Sequence, residues 1–165
     1  MKIGILTVSD KGARGEREDR SGPAIRKIMG AAGAEIVHTG IVADEKALIS
    51  AVLVKWSDEG LDLILTTGGT GFSPRDVTPE ATKAVIEREA PGLAEAMRRA
   101  GMEKTPTAML SRAAAGIRKS TLIVNLPGSE TGARESLEAI LPALGHGIEI
   151  LKGTASECGK PVPKK

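Results

Sequence analysis

The chain has 165 residues, the length of one ordinary domain, with 41% hydrophobic and 27% charged residues, the balance of a globular protein able to bury one good core. Its net charge of +2, from 23 basic and 21 acidic residues, excludes a strong polyanion partner, and Trp56 and Phe72 as the only aromatics leave no set of stacking platforms for single-stranded nucleic acid. Cys158 is the single cysteine, which excludes an intrachain disulfide or a Cys-rich metal site, and the opening MKIGILTVSD turns charged too soon for a leader or a membrane span, so the cytoplasm is the expected location.

Along the chain, Ile3 to Ser9 reads as a strand. Ser21-Gly22-Pro23 then opens a helix with Ile25, Ile28, Met29 and Ala32 on one face and Gly33 as its stop. Glu35 to Val42 reads as a second strand. Asp44 follows as the N-cap of a helix with the inner stripe Leu48, Ile49, Val52 and Trp56, ended by Gly60. Leu61 to Thr67, apolar apart from Asp62 and the closing threonines, predicts a central strand buried on both faces. Thr78-Pro79-Glu80 supplies a hydroxyl cap, a proline at the first helical position and a first-turn acid, for a helix running to about Ala90. Leu93 to Ala100 predicts a further helix, Thr121 to Leu126 a strand, and Gly132 to Leu144 a last helix, interrupted or restarted at Pro142.

With no internal repeat or long linker, residues 1–153 read as one domain and residues 154–165 as a basic, Pro-containing tail that holds Cys158. The alternation predicts an α/β domain with a mostly parallel sheet. Right-handed crossovers align the strand C-termini along one edge, where open α/β sheets bind ligands.

The strand ends carry the chemistry. Ser9-Asp10 follows the first strand, Ala43-Asp44-Glu45 the second, TTGGTGFSPRDVTP (Thr66 to Pro79) the central one and NLPGS (Asn125 to Ser129) the last. Gly68-Gly69-Thr70-Gly71 is the sharpest signal: its glycines permit positive φ and close backbone approach to an anion, and the Thr67 and Thr70 hydroxyls add donors. It is neither a Walker A loop, having no Gly-Lys-Ser/Thr, nor a dinucleotide fingerprint, having Pro74 where a third glycine belongs. Asp76, two residues before Thr78, would repel phosphate unless a cation intervenes, and Mg²⁺ takes one or two carboxylates together with phosphate oxygens. Asp44 is either the second carboxylate or only a helix cap. Asp10 either joins the site or orders a turn. Arg75 either reaches a phosphate or pairs with Asp76, while Arg112 and Arg118, with Ser111 nearby, read as solvated by default. His38 and His146 have no metal-ligand spacing and read as structural.

These motifs together resemble the MogA/MoaB family of molybdopterin-binding proteins, whose domain recurs in gephyrin. The resemblance covers nearly the whole chain: Val8 to Asp10, Val42 to Glu45, TTGGTG with RDVTPEAT (Arg75 to Thr82), PTAMLSR (Pro106 to Arg112) and NLPG (Asn125 to Gly128). It implies a three-layer α/β/α fold, a homotrimer or hexamer, and molybdopterin adenylyltransferase activity with ATP and Mg²⁺. It implies that Asp44 and Asp76 are catalytic and hold the metal. It also implies that Ser9, Asp10, Thr67, Gly68, Gly69, Thr70, Gly71, Arg75, Ser111, Asn125, Pro127, Gly128 and Ser129 contribute to the ligand pocket. Handover to a molybdenum-insertion protein is a further implied step. One departure stands out: where many members follow NLPG with a small residue, proline and lysine, this chain has Ser129-Glu130-Thr131. The competing expectations are a non-catalytic molybdopterin carrier or scaffold, and a flavodoxin-like nucleotide binder, which the shortage of aromatics disfavours.

Overall fold

A computed structural model describes residues 1–154; the rest of the expected tail, with Cys158, lies outside the described residues. Six strands form one sheet: β1 (Lys2–Val8), β2 (Glu35–Val42), β3 (Leu63–Thr67), β4 (Arg88–Glu89), β5 (Ala115–Arg118) and β6 (Thr121–Leu126), in the spatial order β2-β1-β3-β6-β5-β4. The first four in that order are parallel, while β5 and β4 add antiparallel at one edge. The order in which strands are laid down reverses between β1 and β3, which makes their shared C-terminal end a topological switch point. Thr7 pairs with Thr67 and Thr67 with Leu126, so the loops leaving β1, β3 and β6 start from one line.

Helices cover both faces. α2 (Ser21–Ala31), α5 (Pro91–Met102) and α6 (Glu130–Leu151) pack on one side, α3 (Lys46–Asp58) and α4 (Thr78–Lys83) on the other, with the short α1 (Asp10–Ala13) at the strand ends. Strand alternation sorts the core: Ile3, Ile5, Leu63, Leu65 and Val124 face α2, α5 and α6, whereas Leu6, Val8, Ile64 and Ile123 face α3 and α4. β3 is buried at all five positions, as its continuous apolar run requires. Among the described residues, no helix is long and apolar enough to cross a membrane.

Several local expectations yield to packing. Leu48 is 45% exposed and Leu53 takes its place in the buried stripe of α3 with Ile49 and Trp56. Ala32 lies past the end of α2 and is exposed. α4 stops at Lys83 instead of running to Ala90, because Glu87 N donates to Ile117 O at 2.8 Å and draws Arg88–Glu89 into the sheet as β4. Pairing with an existing edge satisfies those backbone groups where two more helical turns would expose them. α6 is one 22-residue helix containing Pro142. Its buried stripe, Leu137, Ile140, Leu144 and Ile148, crosses the proline without a break, and tertiary packing outweighs a local penalty of about 3 kcal/mol. The short strand β5 and a 3-10 turn over Pro106–Leu110 have no clear periodic signal.

Gly4 on β1 lies under the Trp56 indole; a methyl there would sit 2.6 Å from Trp56 Cε3 and 2.9 Å from Leu61 Cδ2. The Trp56 ring is held in place, since it also stacks on His38 with ring centroids 5.3 Å apart. Gly4→Ala is therefore expected to destabilise the fold by about 1–3 kcal/mol, measured as a lower urea midpoint at unchanged slope.

Candidate active site

The loop after β3 turns sharply. Gly68 and Gly69 have φ values of 102° and 63°, the left-handed region that favours glycine. A methyl on Gly68 would strike the Val8 carbonyl, and one on Gly69 would strike the Thr78 hydroxyl. This reversal gives each carbonyl of residues 68–71 an internal donor. Thr78 Oγ1 donates to Gly68 O at 2.8 Å, Thr78 N to Gly69 O at 3.1 Å, Arg112 N to Thr70 O at 2.9 Å and Arg112 Nε to Gly71 O at 2.7 Å. The N–H groups of Gly69, Thr70 and Gly71 donate to no acceptor among the described residues. A run of backbone donors with its carbonyls tied back is an anion-binding concavity. Thr78 is not the helix cap that its type suggests: the cap position is Val77, without a side-chain bond, and the Thr78 hydroxyl braces the glycine turn instead.

The β6 loop abuts this turn. Thr67 Oγ1 donates to Pro127 O at 2.7 Å, and a methyl on Gly128 would lie 3.1 Å from Gly68 Cα. Ser129 caps α6, its Oγ accepting from Gly132 N at 3.1 Å, which brings the positive end of the helix dipole beside the glycine loop. Between these loops, α5 and the Pro106–Leu110 turn lies a cavity of about 450 Å³. Gly69, Thr70, Gly71, Asp76, Ser111 and the Pro127–Gly128–Ser129 segment line it.

The carboxylates converge on the rim. Asp44 does not cap α3, where Glu45 holds the cap position. Asp44 Oδ2 accepts from Asp10 N at 2.7 Å and Asp10 Oδ1 accepts from Asp44 N at 3.0 Å, a reciprocal clamp between the β1 and β2 loops. The other Asp44 oxygen points at the glycine turn, 3.0 Å from where a Gly69 side chain would start, and Asp76 Oδ2 stands 2.8 Å from the same point on Gly71. Burial pushes the Asp44 carboxyl up; the Asp10 N–H opposes this, while the charges of Asp10 and Asp76 add to it. Among the described residues, no three His, Cys, Asp or Glu side chains form a metal cage, so a cation at this rim needs oxygens from a ligand as well.

Arg75 pairs with Asp10, not with Asp76: Nε and Nη2 reach the two carboxylate oxygens at 2.9 and 2.8 Å and hold Asp10 below the usual carboxylate range. Arg112, which reads from sequence as solvated, binds Gly71 O, Asp76 O at 2.6 Å and Glu80, fixing the loop that carries Asp76. Asn125 is fully buried between Thr66, Thr82 and the Ala114 N–H, away from the cavity. Ser9 caps α1. Gly68 backs the pocket, and neither it nor Ser9, Asp10, Asp44, Thr67 or Arg75 lines the cavity. His38 contacts Glu59 at 2.5 Å and stacks on Trp56, a structural role, and His146 lies 4.0 Å from Glu149. Met97, Arg98, Thr105, Thr107 and Glu135 also line the cavity. Sequence reasoning misses them because α5 and the following turn reach the strand edge only through tertiary packing; the Pro106 to Arg112 motif is the nearest cue.

A family model described as "Probable molybdopterin binding domain" matches residues 4–146. The chain is 46% identical over 156 residues to a molybdopterin adenylyltransferase of Helicobacter pylori (strain J99), covering 93% of this chain and 89% of that protein. It is 41% identical over 155 residues to a molybdopterin adenylyltransferase of Escherichia coli K12, covering 90% and 80%. The crystal structure of the molybdopterin biosynthesis enzyme MoaB from Thermus thermophilus superposes with a TM-score of 0.88 at 57% identity, over 92% of this chain and 96% of that one. With its glycine turn, paired acids and strand order in place, the chain belongs to the MogA/MoaB family of molybdopterin-binding domains.

Proposed function

We propose that this chain is a molybdopterin adenylyltransferase, transferring the adenylyl group of ATP to the terminal phosphate of molybdopterin and releasing pyrophosphate. The relatives named for that activity support it. The observation that carries it is the placement of Asp44 and Asp76 against the two ends of one glycine loop whose N–H groups have no acceptor among the described residues and whose residues line a cavity. A phosphate oxygen of the pterin attacks the α-phosphorus of ATP in line. Both reactants are polyanions, so the protein's tasks are to offset charge and fix geometry.

The backbone donors of residues 69–71 and the α6 N-terminus cradle phosphoryl oxygens. Ser9, Asp10, Thr67 and Asn125 act at one remove, holding the strand-end loops in register. Confining both reactants to one cavity supplies a proximity advantage of up to ~7–11 kcal/mol in well-oriented systems. No general base is needed, because the attacking oxygen is already ionised near neutral pH. Asp44 and Asp76 are the residues that would hold Mg²⁺. The fit rests on an all-oxygen donor set and on an Asp44 carboxylate that burial and two neighbouring anions leave undercompensated. When bound, the ion neutralises triphosphate charge and stabilises the departing pyrophosphate. The reading extends to a cytoplasmic homotrimer or hexamer that hands its product to a molybdenum-insertion protein. Of the apolar residues in the 91–115 segment that could form an interface, Leu93 and Met97 pack into the core, while Met102, Met109 and Leu110 are exposed and support association.

Incubation with ATP, Mg²⁺ and molybdopterin should release pyrophosphate in step with adenylyl-molybdopterin; pterin binding without pyrophosphate would instead mark a carrier. Asp76→Asn should keep pterin affinity while turnover falls by at least about 10²-fold, the scale seen when a transition-state charge contact is removed. Unchanged turnover would refute the metal role. Sedimentation should show an oligomer at micromolar concentration; a monomer there would remove the assembly from the reading.

A further inference from the structure

The cavity is proposed to receive two phosphate-bearing reactants, yet its side-chain charge is negative. Asp76 and Glu135 line it, and Arg98 is the only lysine or arginine among the described residues that does. The nearby arginines are engaged elsewhere. Arg75 is on Asp10, Arg112 is on Glu80 and two loop carbonyls, and Arg134 lies 4.0 Å from Glu138. The chain leaving the Pro127–Gly128 turn brings Ser129, Glu130 and Thr131, none of them cationic.

Arg98 differs from these arginines in its partners. Among the described residues it has no carboxylate within ion-pair distance. Its Nη1 donates to Ser111 O at 3.3 Å and to Ala113 O at 3.1 Å, which pins the guanidinium against the wall beside Ser111. Nε and Nη2 have no acceptor among the described residues. That pair of donors is the fork with which Arg75 and Arg14 hold carboxylates, at 2.8–2.9 Å. A guanidinium anchored by one nitrogen, with its other two nitrogens unpaired among the described residues and its side chain lining a cavity, is suited to two parallel bonds to a tetrahedral oxyanion. Half-burial strengthens such a contact relative to one in bulk water.

We propose that Arg98 is the phosphoryl-recognition residue of this cavity, its Nε–Nη2 edge donating to two oxygens of one phosphate group on one of the reactants. The inference rests on the adenylyltransferase reading for the identity of those reactants, and on geometry alone for the anion. The chemistry is shared by the pterin phosphate and the nucleotide phosphates, so the test has an arm for each.

Dissociation constants of ATP, of molybdopterin and of inorganic pyrophosphate are measured by calorimetry on the whole protein, for wild type, Arg98→Gln and Arg98→Lys, beside their thermal unfolding midpoints. Arg98→Gln should weaken one of ATP and molybdopterin by roughly 10- to 100-fold, the loss expected for removing a charged donor from an oxyanion, and leave the other within about threefold. The weakened reactant is the one whose phosphate it holds, and pyrophosphate should follow if that reactant is ATP. Arg98→Lys should recover part of the loss, because it restores the charge without the fork. Unchanged constants in both variants, or equal weakening of both reactants, would overturn the proposal and leave Arg98 as a staple between α5 and residues 111–113. Should the Gln variant not fold, the Lys variant decides by the same criteria. Wild-type protein that binds ATP and pyrophosphate but forms no product would sink the adenylyltransferase reading instead, with Arg98 still judged by its effect on those two constants.

Discussion

The site depends on one backbone constraint: two consecutive left-handed residues, Gly68 and Gly69, at the end of the central strand. Their positive φ values turn the loop carbonyls inward, onto Thr78 and Arg112, and leave the amides facing out. The reversal is possible only where no Cβ exists, because the Val8 carbonyl and the Thr78 hydroxyl occupy the space that a side chain would need. The packing that forbids a side chain at these positions also exposes the donors. The row of unpaired amides therefore leaves no carbonyl of residues 68–71 unsatisfied.

Around that turn, charge is arranged by local pairing. The Asp10–Arg75 fork and the Arg112–Glu80 pair are substantially solvent-exposed, so neither contributes much to stability. Their effect is geometric. Asp10 clamps Asp44 through reciprocal backbone bonds, and Arg112 fixes the carbonyls at both ends of the segment that bears Asp76. The two acids are thus held by different loops, one from β2 and one from β3, and meet because those strands flank β1 in register. Burial is the main reason the Asp44 carboxyl is raised, and the charges of Asp10 and then Asp76 add to it.

Strands β1, β2, β3 and β6 and most of the helices were legible because their signals are local. β2 and β6 fall where alternation and apolar runs place them, and β3 is buried throughout as a two-sided run must be. Local signals misled where a distant partner competed for the same groups. The Thr78 hydroxyl went to Gly68 instead of its own helix, Glu87 to β5 instead of another helical turn, and Asp44 to Asp10 instead of the α3 amides. Pro142 failed to break α6 because the buried stripe on either side of it is continuous.

Neighbouring residues alone carried the α/β class, the strand-end loops and the residue types of the glycine turn, since glycine spacing, strand periodicity and the identity of the acids are local properties. Tertiary structure alone decided which arginine faces which carboxylate, that Asn125 is buried between Thr66 and Thr82, and that Arg98 on α5 reaches the cavity. Those outcomes depend on how segments dozens of residues apart dock, and on which of several equally suitable partners then lies within about 3 Å, the reach of a hydrogen bond.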